Sequence, residues 1–73
     1  MDFPFKLVRL RAGLSQAAFG DRLNISQPAV SALDKGGAPS RETCLRTYEQ
    51  FRLEMAQLEL TLEHLLRNEA KNT

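Results

Sequence analysis

The sequence contains the pair Ser-Gln twice, as Ser15-Gln16 and again as Ser26-Gln27. A serine hydroxyl can accept a hydrogen bond from an unpaired backbone N–H, and this is how many helices begin. A glutamine amide carries a donor and an acceptor side by side. These pairs could therefore start two helices and recognise a partner by hydrogen bonding, without making or breaking covalent bonds.

Catalytic and metal chemistry have little support in the sequence. Cys44 and His64 are the single cysteine and the single histidine, too few for a structural zinc site. We interpret Cys44 as a small buried apolar residue and His64 as a surface residue. No arrangement of residues suits nucleophilic or acid–base catalysis. We therefore expect no catalytic residue, no metal, no cofactor and a protein that is not an enzyme.

Length and composition predict one small domain. The chain has 73 residues, of which 42% are hydrophobic and 26% charged, a typical globular balance. A domain of this size buries little apolar surface, and a single cysteine cannot form an internal disulfide. Self-association is therefore the expected source of extra stability. The sequence shows neither a membrane span nor the apolar core of a signal peptide, so we expect a cytoplasmic protein.

Charge is distributed unevenly along the chain. Residues 1–46 contain seven basic and four acidic side chains, whereas residues 47–73 contain three basic and five acidic ones. The first part could face a polyanion, and the second part is expected to do something else.

Glycine, proline and capping residues predict the first two helices. Pro4 suits the first turn of one helix, and Gly13 suits its C-terminal end. Ser15 is then expected to cap a second helix. Asn24 lies where this second helix must turn, because asparagine tolerates left-handed backbone angles better than most residues.

A third helix is predicted directly after a tight link around Asn24-Ile25. Ser26 is its expected cap, and Pro28 falls in the first turn, where a missing N–H is harmless. The glycine pair Gly36-Gly37 is expected to end it. Each Ser-Gln pair therefore begins a helix.

Residues from Arg41 onwards predict a long helix that reaches about Asn68, although a break near residues 52–54 remains possible. Apolar or partly apolar residues recur at alternating spacings of four and three, the pattern of a heptad seam. The residues of this seam are Cys44, Tyr48, Phe51, Met55, Leu58, Leu62 and Leu65.

Many positions resemble the Cro/repressor-type helix-turn-helix family, also described as XRE-like or lambda-repressor-like. The matching residues are Gly13-Leu14-Ser15-Gln16, Phe19-Gly20, Leu23-Asn24-Ile25-Ser26, Val30-Ser31, Leu33-Asp34, Lys35-Gly36, Pro39-Ser40, Glu42-Thr43 and Leu45, with Arg9 upstream. The resemblance covers about residues 5 to 51. It implies an all-α bundle of four to five helices, here with a long C-terminal helix, that binds double-stranded DNA. Gly20 and Asn24 depart from the family's usual Ala and Gly.

The resemblance also implies roles for individual residues. The third helix, Gln27 to Lys35, would enter the major groove. Arg9 and Asp34 allow two interpretations, a structural ion pair between the first and third helices or contacts with DNA, and we expect the ion pair. The residues expected to face bases are Gln27, Pro28, Ser31 and Ala32. The residues expected to contact phosphates are Gln16, Ser26, Lys35 and Arg41.

The C-terminal seam allows two interpretations, because it can fold back on its own domain or pack against a second subunit. We expect residues 1–51 to form the DNA-binding domain and residues 52–73 to form a helical dimerisation segment within the same compact unit. The expected dimer contacts are Met55, Leu58, Leu62 and Leu65. Such a dimer would present two reading helices to half-sites about 34 Å apart, or a multiple of that.

Three functions follow from this interpretation. The first is a homodimeric repressor of the phage or mobile-element type that binds a pseudo-palindromic operator, including one at its own promoter. The second is an antitoxin or adaptor whose C-terminal helix binds a toxin or another protein, with DNA binding secondary. The third is an interaction module that has lost DNA binding. The first two place the protein in a bacterial or phage-infected cell.

Overall fold

The computed structural model describes residues 2–70, so residue 1 and residues 71–73 of the expected segments lie outside the described part. Within it, six α-helices form the fold and no strand occurs. The helices are α1 Pro4–Arg11, α2 Gln16–Leu23, α3 Gln27–Asp34, α4 Arg41–Gln50, α5 Arg52–Gln57 and α6 Leu62–Arg67. None of the helices in residues 2–70 has both the length and the apolar character that a membrane crossing requires.

The predicted serine caps are confirmed. Ser15 Oγ accepts a hydrogen bond from the N–H of Ala18 at 3.1 Å and begins α2. Ser26 Oγ accepts from the N–H of Ala29 at 3.3 Å and begins α3. Ser40 begins α4 in the same way, which gives three consecutive helices one type of start.

The turn between α2 and α3 depends on two residues. Asn24 has φ 58° and ψ 43°, the left-handed conformation that ends α2 as predicted. Gly20 allows the backbone of Ile25 to approach α2 closely, because a Cβ at position 20 would lie 2.6 Å from the carbonyl oxygen of Ile25. The tight turn fixes α3 against α2.

One apolar core joins all six helices. Phe19 of α2 stacks on Phe51, with ring centroids 5.1 Å apart. Cys44 is buried as expected, and burial raises the pKa of its thiol. The buried apolar residues are Phe5, Val8, Phe19, Leu23, Val30, Leu33, Cys44, Phe51, Met55, Leu60 and Leu65.

The prediction of one long C-terminal helix is wrong. The chain bends at Phe51, whose φ of −123° and ψ of 35° separate α4 from α5. It bends again after α5, where Glu59 adopts a left-handed φ of 56°. A straight helix, rising about 1.5 Å per residue, would carry its end away from the domain. The two bends instead return the chain to the core.

Two of the four residues expected at a dimer interface are buried within their own chain. Met55 and Leu65 are 1% and 0% exposed and belong to the core of their own chain. Leu58 and Leu62 are partly buried and pack against that core. The heptad pattern therefore reports an intramolecular core in this fold, and Met55 and Leu65 are not available to a second subunit.

Candidate nucleic-acid interface

The N-termini of α2 and α3 lie next to each other, which brings the two Ser-Gln pairs together. Gln27 Nε2 donates a hydrogen bond to Oε1 of Gln16 at 2.7 Å. Gln16 is the first residue of α2, and Gln27 is the first residue of α3. The side chain expected to read a base is therefore held by the side chain expected to contact a phosphate.

The residues expected to face bases are accessible. Gln27, Pro28 and Ala32 are exposed, and Ser31 is half-buried. The other side of α3 contributes Val30 and Leu33 to the core. Helix α3 thus presents one outward face while its inward face is fixed by packing.

A largely buried ion pair joins α1 to the C-terminal end of α3. Arg9 Nη2 lies 2.8 Å from Oδ2 of Asp34, and the two side chains are only 12% and 8% exposed. Arg9 also donates to the carbonyl oxygen of Leu14 at 3.0 Å. The expected pairing of α1 with α3 is confirmed. Each charge has its partner, as buried charges require.

Asp34 connects the ion pair to the glutamines. Its Oδ2 accepts a second hydrogen bond, from Gln16 Nε2 at 3.0 Å. Four side chains therefore form one chain of hydrogen bonds that runs from the interior to the surface: Arg9, Asp34, Gln16 and Gln27. The sequence predicts a role for each of these four residues and the pairing of Arg9 with Asp34, but not the bonds that join Asp34, Gln16 and Gln27.

The residues expected to contact phosphates lie at or next to helix ends. Ser26 caps α3, Lys35 follows its last residue, and Arg41 is the first residue of α4. All three are exposed. Gln16 is half-buried, and the backbone N–H groups at the start of α2 precede its first intrahelical bond, where they favour anions.

Arg46 is a basic residue with a structural role. Its Nη1 donates to the carbonyl oxygen of Leu23 at 3.0 Å, at the C-terminal end of α2. Its Nη2 pairs with Glu42. Arg46 therefore ties α4 to the C-terminal end of α2.

Asn68 is a positioning residue that sequence reasoning missed. It is 1% exposed, and its Nδ2 donates to the carbonyl oxygens of Leu33 at 3.0 Å and Gly37 at 2.8 Å. Its Oδ1 accepts from the N–H of Phe5 at 3.5 Å. The residue that ends α6 thus holds the C-terminal end of α3 and the start of α1. Asn68 also ends α6 with a left-handed φ of 42°, a conformation that asparagine tolerates better than most residues.

His64, which we expected to be a surface residue, forms hydrogen bonds with Thr61 at the start of α6. Its Nδ1 accepts from the backbone N–H of Thr61 at 2.8 Å, and its own N–H donates to the hydroxyl of Thr61. The two residues form a capping box that begins α6. His64 is thus half-buried and structural rather than a free surface residue.

Comparison with protein families agrees with this geometry. The sequence model of a family described as Helix-turn-helix matches residues 5–46, more than half of the chain. The chain belongs to the helix-turn-helix family. The match is to the XRE/Cro/C1 type, whose members are DNA-binding transcription regulators. No curated protein and no solved structure matches the chain.

The family match ends within α4. The helix-turn-helix region includes α1, α2, α3 and the first part of α4. The segment that follows the match contributes three residues to the shared core: Met55 from α5, Leu60 from the link between α5 and α6, and Leu65 from α6. The added segment therefore supports the helix-turn-helix unit, through Asn68 and through apolar packing.

Proposed function

We propose that this helix-turn-helix protein is a homodimeric transcriptional repressor that binds a pseudo-palindromic operator, with α3 in the major groove. The observation that carries the proposal is the bond between Gln27 and Gln16 on an accessible surface. A side chain that is both exposed and held in one orientation is prepared to read a base edge.

Base reading rests on one strong polar contact. Gln27 can donate to N7 and accept from N6 of adenine, the bidentate contact that glutamine makes in the major groove. Ser31 supplies a further hydroxyl. Pro28 and Ala32 offer apolar surface, which suits thymine methyl groups. Because few polar groups face the bases, DNA shape would supply part of the selectivity.

Phosphate contacts would position α3 on the duplex. Gln16 and the N–H groups at the start of α2 would contact one phosphate, and Ser26 at the start of α3 would contact another. Lys35 and Arg41 add positive charge beyond the other end of α3. Such contacts fix register without carrying sequence information.

A dimer would need more surface than the expected seam offers, because Met55 and Leu65 are buried in their own chain and Leu58 and Leu62 are only partly exposed. Leu53 on α5 and Leu66 on α6 are 67% and 48% exposed. Burying an apolar side chain of this size is energetically favourable. We propose that these leucines contact a second copy. Two copies related by a two-fold axis would match half-sites about 34 Å apart, or a multiple of that.

The protein would act by occupying a promoter, its own included, and would need neither catalysis nor a cofactor. This role places it with the DNA, in the cytoplasm of a bacterial or phage-infected cell. DNA binding of this kind weakens steeply as salt concentration rises, since each neutralised phosphate releases counterions.

Selection of bound fragments from random DNA, read by sequencing, tests the proposal. The wild type should enrich a symmetric site, and Gln27→Ala should lose selectivity at one position of each half-site. Gln50→Ala is the matched control, because Gln50 is exposed at the last position of α4 and is not one of the four side chains of the hydrogen-bond chain. Enrichment of no sequence by the wild type would contradict a sequence-specific repressor.

The exposed leucines also favour a second candidate, an antitoxin or adaptor that covers them with a different protein. The mass of the purified protein in solution separates the two. A dimer supports the repressor, whereas a monomer at micromolar concentration supports the adaptor.

A further inference from the structure

We propose that Asp34 is a positioning residue that decides which atoms of Gln27 face the DNA, and so selects adenine over guanine. The inference rests on the proposed function, in which Gln27 reads a base. Asp34 itself would touch no DNA, because its side chain is only 8% exposed. It acts through Gln16.

Asp34 fixes the orientation of the Gln16 amide. A carboxylate only accepts hydrogen bonds, so the side-chain nitrogen of Gln16 must face it. The observed contact has this direction, with Gln16 Nε2 3.0 Å from Asp34 Oδ2. Arg9, which only donates, holds the same oxygen at 2.8 Å from the other side. The chemistry of the two partners thus leaves Gln16 one orientation.

The orientation of Gln16 then determines that of Gln27. With its nitrogen on Asp34, Gln16 presents Oε1 to Gln27, and this oxygen accepts from Gln27 Nε2 at 2.7 Å. The hydrogen-bond chain therefore leaves Gln27 with its carbonyl oxygen and its second N–H. One acceptor and one donor match N6 and N7 of adenine.

The opposite orientation would match the other purine. If Gln16 turned its nitrogen to Gln27, the oxygen of Gln27 would accept that bond. Both N–H hydrogens of Gln27 would then face the groove, and two donors match O6 and N7 of guanine. The direction of one hydrogen-bond chain, set by the buried carboxylate, thus distinguishes A·T from G·C.

The test compares base preferences of three proteins by selection from random DNA. The position read by Gln27 is first located as the one where Gln27→Ala loses selectivity. There, the wild type should favour adenine over guanine by about tenfold or more. The double variant Arg9→Met/Asp34→Leu replaces the ion pair by apolar side chains, a change that folds tolerate well. It should bring the two purines to near equality at that position alone.

Asp34→Asn is the conservative control. Its carbonyl oxygen can take the place of Oδ2, where Arg9 and Gln16 both donate. The chain keeps its direction, so this variant should keep the adenine preference even if its midpoint of unfolding falls. A role in stability alone would instead leave the base preference unchanged in every folded variant.

Several outcomes would overturn the inference. A folded double variant that keeps the full adenine preference would do so, as would Asp34→Asn losing that preference completely. If circular dichroism shows the double variant unfolded, Gln16→Met breaks the chain without disturbing the ion pair, and its retention of the preference would overturn the inference. A guanine preference in the wild type would refute the role of Asp34 while leaving base reading by Gln27 intact. Identical selections by wild type and Gln27→Ala would refute the proposed reading itself.

Discussion

The side-chain nitrogen of Gln27 lies 2.7 Å from the side-chain oxygen of Gln16, and this bond joins the first residues of two successive helices. Each residue has a separate expected task on DNA, but the bond makes them one unit. A change in either side chain therefore alters the environment of the other.

A double-mutant cycle on Gln16 and Gln27 should reveal this coupling. Gln16→Ala should weaken binding to random DNA and to the operator, and Gln27→Ala should weaken operator binding by about 1–3 kcal/mol. The double variant should lose less than the sum, with an interaction energy of about 0.5–3 kcal/mol. Fluorescence anisotropy with labelled operator and random duplexes measures all four proteins. Additive losses would show that the bond has no role in binding.

Asn68→Ala should destabilise the fold by about 2–4 kcal/mol. The substitution leaves the carbonyl oxygens of Leu33 and Gly37 without their buried donor. Asn24→Ala is the matched control, because Asn24 also has a left-handed backbone but is exposed. It should lose only about 1 kcal/mol. Urea unfolding followed by circular dichroism measures the free energy of unfolding of both variants. Equal losses would show that the hydrogen bonds of Asn68 do not account for its effect.

Gly20→Ala should destabilise the protein although alanine favours helices by about 1 kcal/mol. The added Cβ would lie 2.6 Å from the carbonyl oxygen of Ile25, a backbone atom that cannot turn aside. We expect a net loss of about 1–2 kcal/mol. Ala17→Gly, on the exposed side of the same helix, isolates the helix-propensity effect. Stabilisation of the Gly20→Ala variant would show that the turn between α2 and α3 can relax.

Leu53→Glu combined with Leu66→Glu should give a folded monomer. Both side chains are exposed, so charge there should disturb association and leave the core intact. Leu45→Glu is the control, since Leu45 is 42% exposed but lies on α4. Sedimentation equilibrium gives the mass, and circular dichroism gives the fold. A double variant that remains dimeric would place the interface elsewhere.

The features that the sequence predicts well are local ones. Ser15, Ser26 and Asn24 act within a few residues of themselves, by capping a first turn or by turning the chain. Their effects need no knowledge of the rest of the fold. The pairing of Arg9 with Asp34 is different, since only the resemblance to a known family suggests it.

The features that the sequence does not predict depend on distant contacts. The heptad seam through Met55 and Leu65 has the same pattern whether it packs on its own domain or on a partner. The bend at Glu59 has a left-handed φ of 56°, but the residue is not a glycine, so the sequence does not indicate a turn there. The role of Asn68 exists only because the bent chain returns to α3. Tertiary packing decides each of these points.

The most direct test is the structure of the protein bound to its selected operator. We expect α3 in the major groove, with Oε1 and Nε2 of Gln27 within hydrogen-bonding distance of N6 and N7 of one adenine in each half-site. Gln16 should still join Gln27 to Asp34 in that complex. A complex in which α3 faces solvent, or in which Gln27 contacts no base, would contradict it.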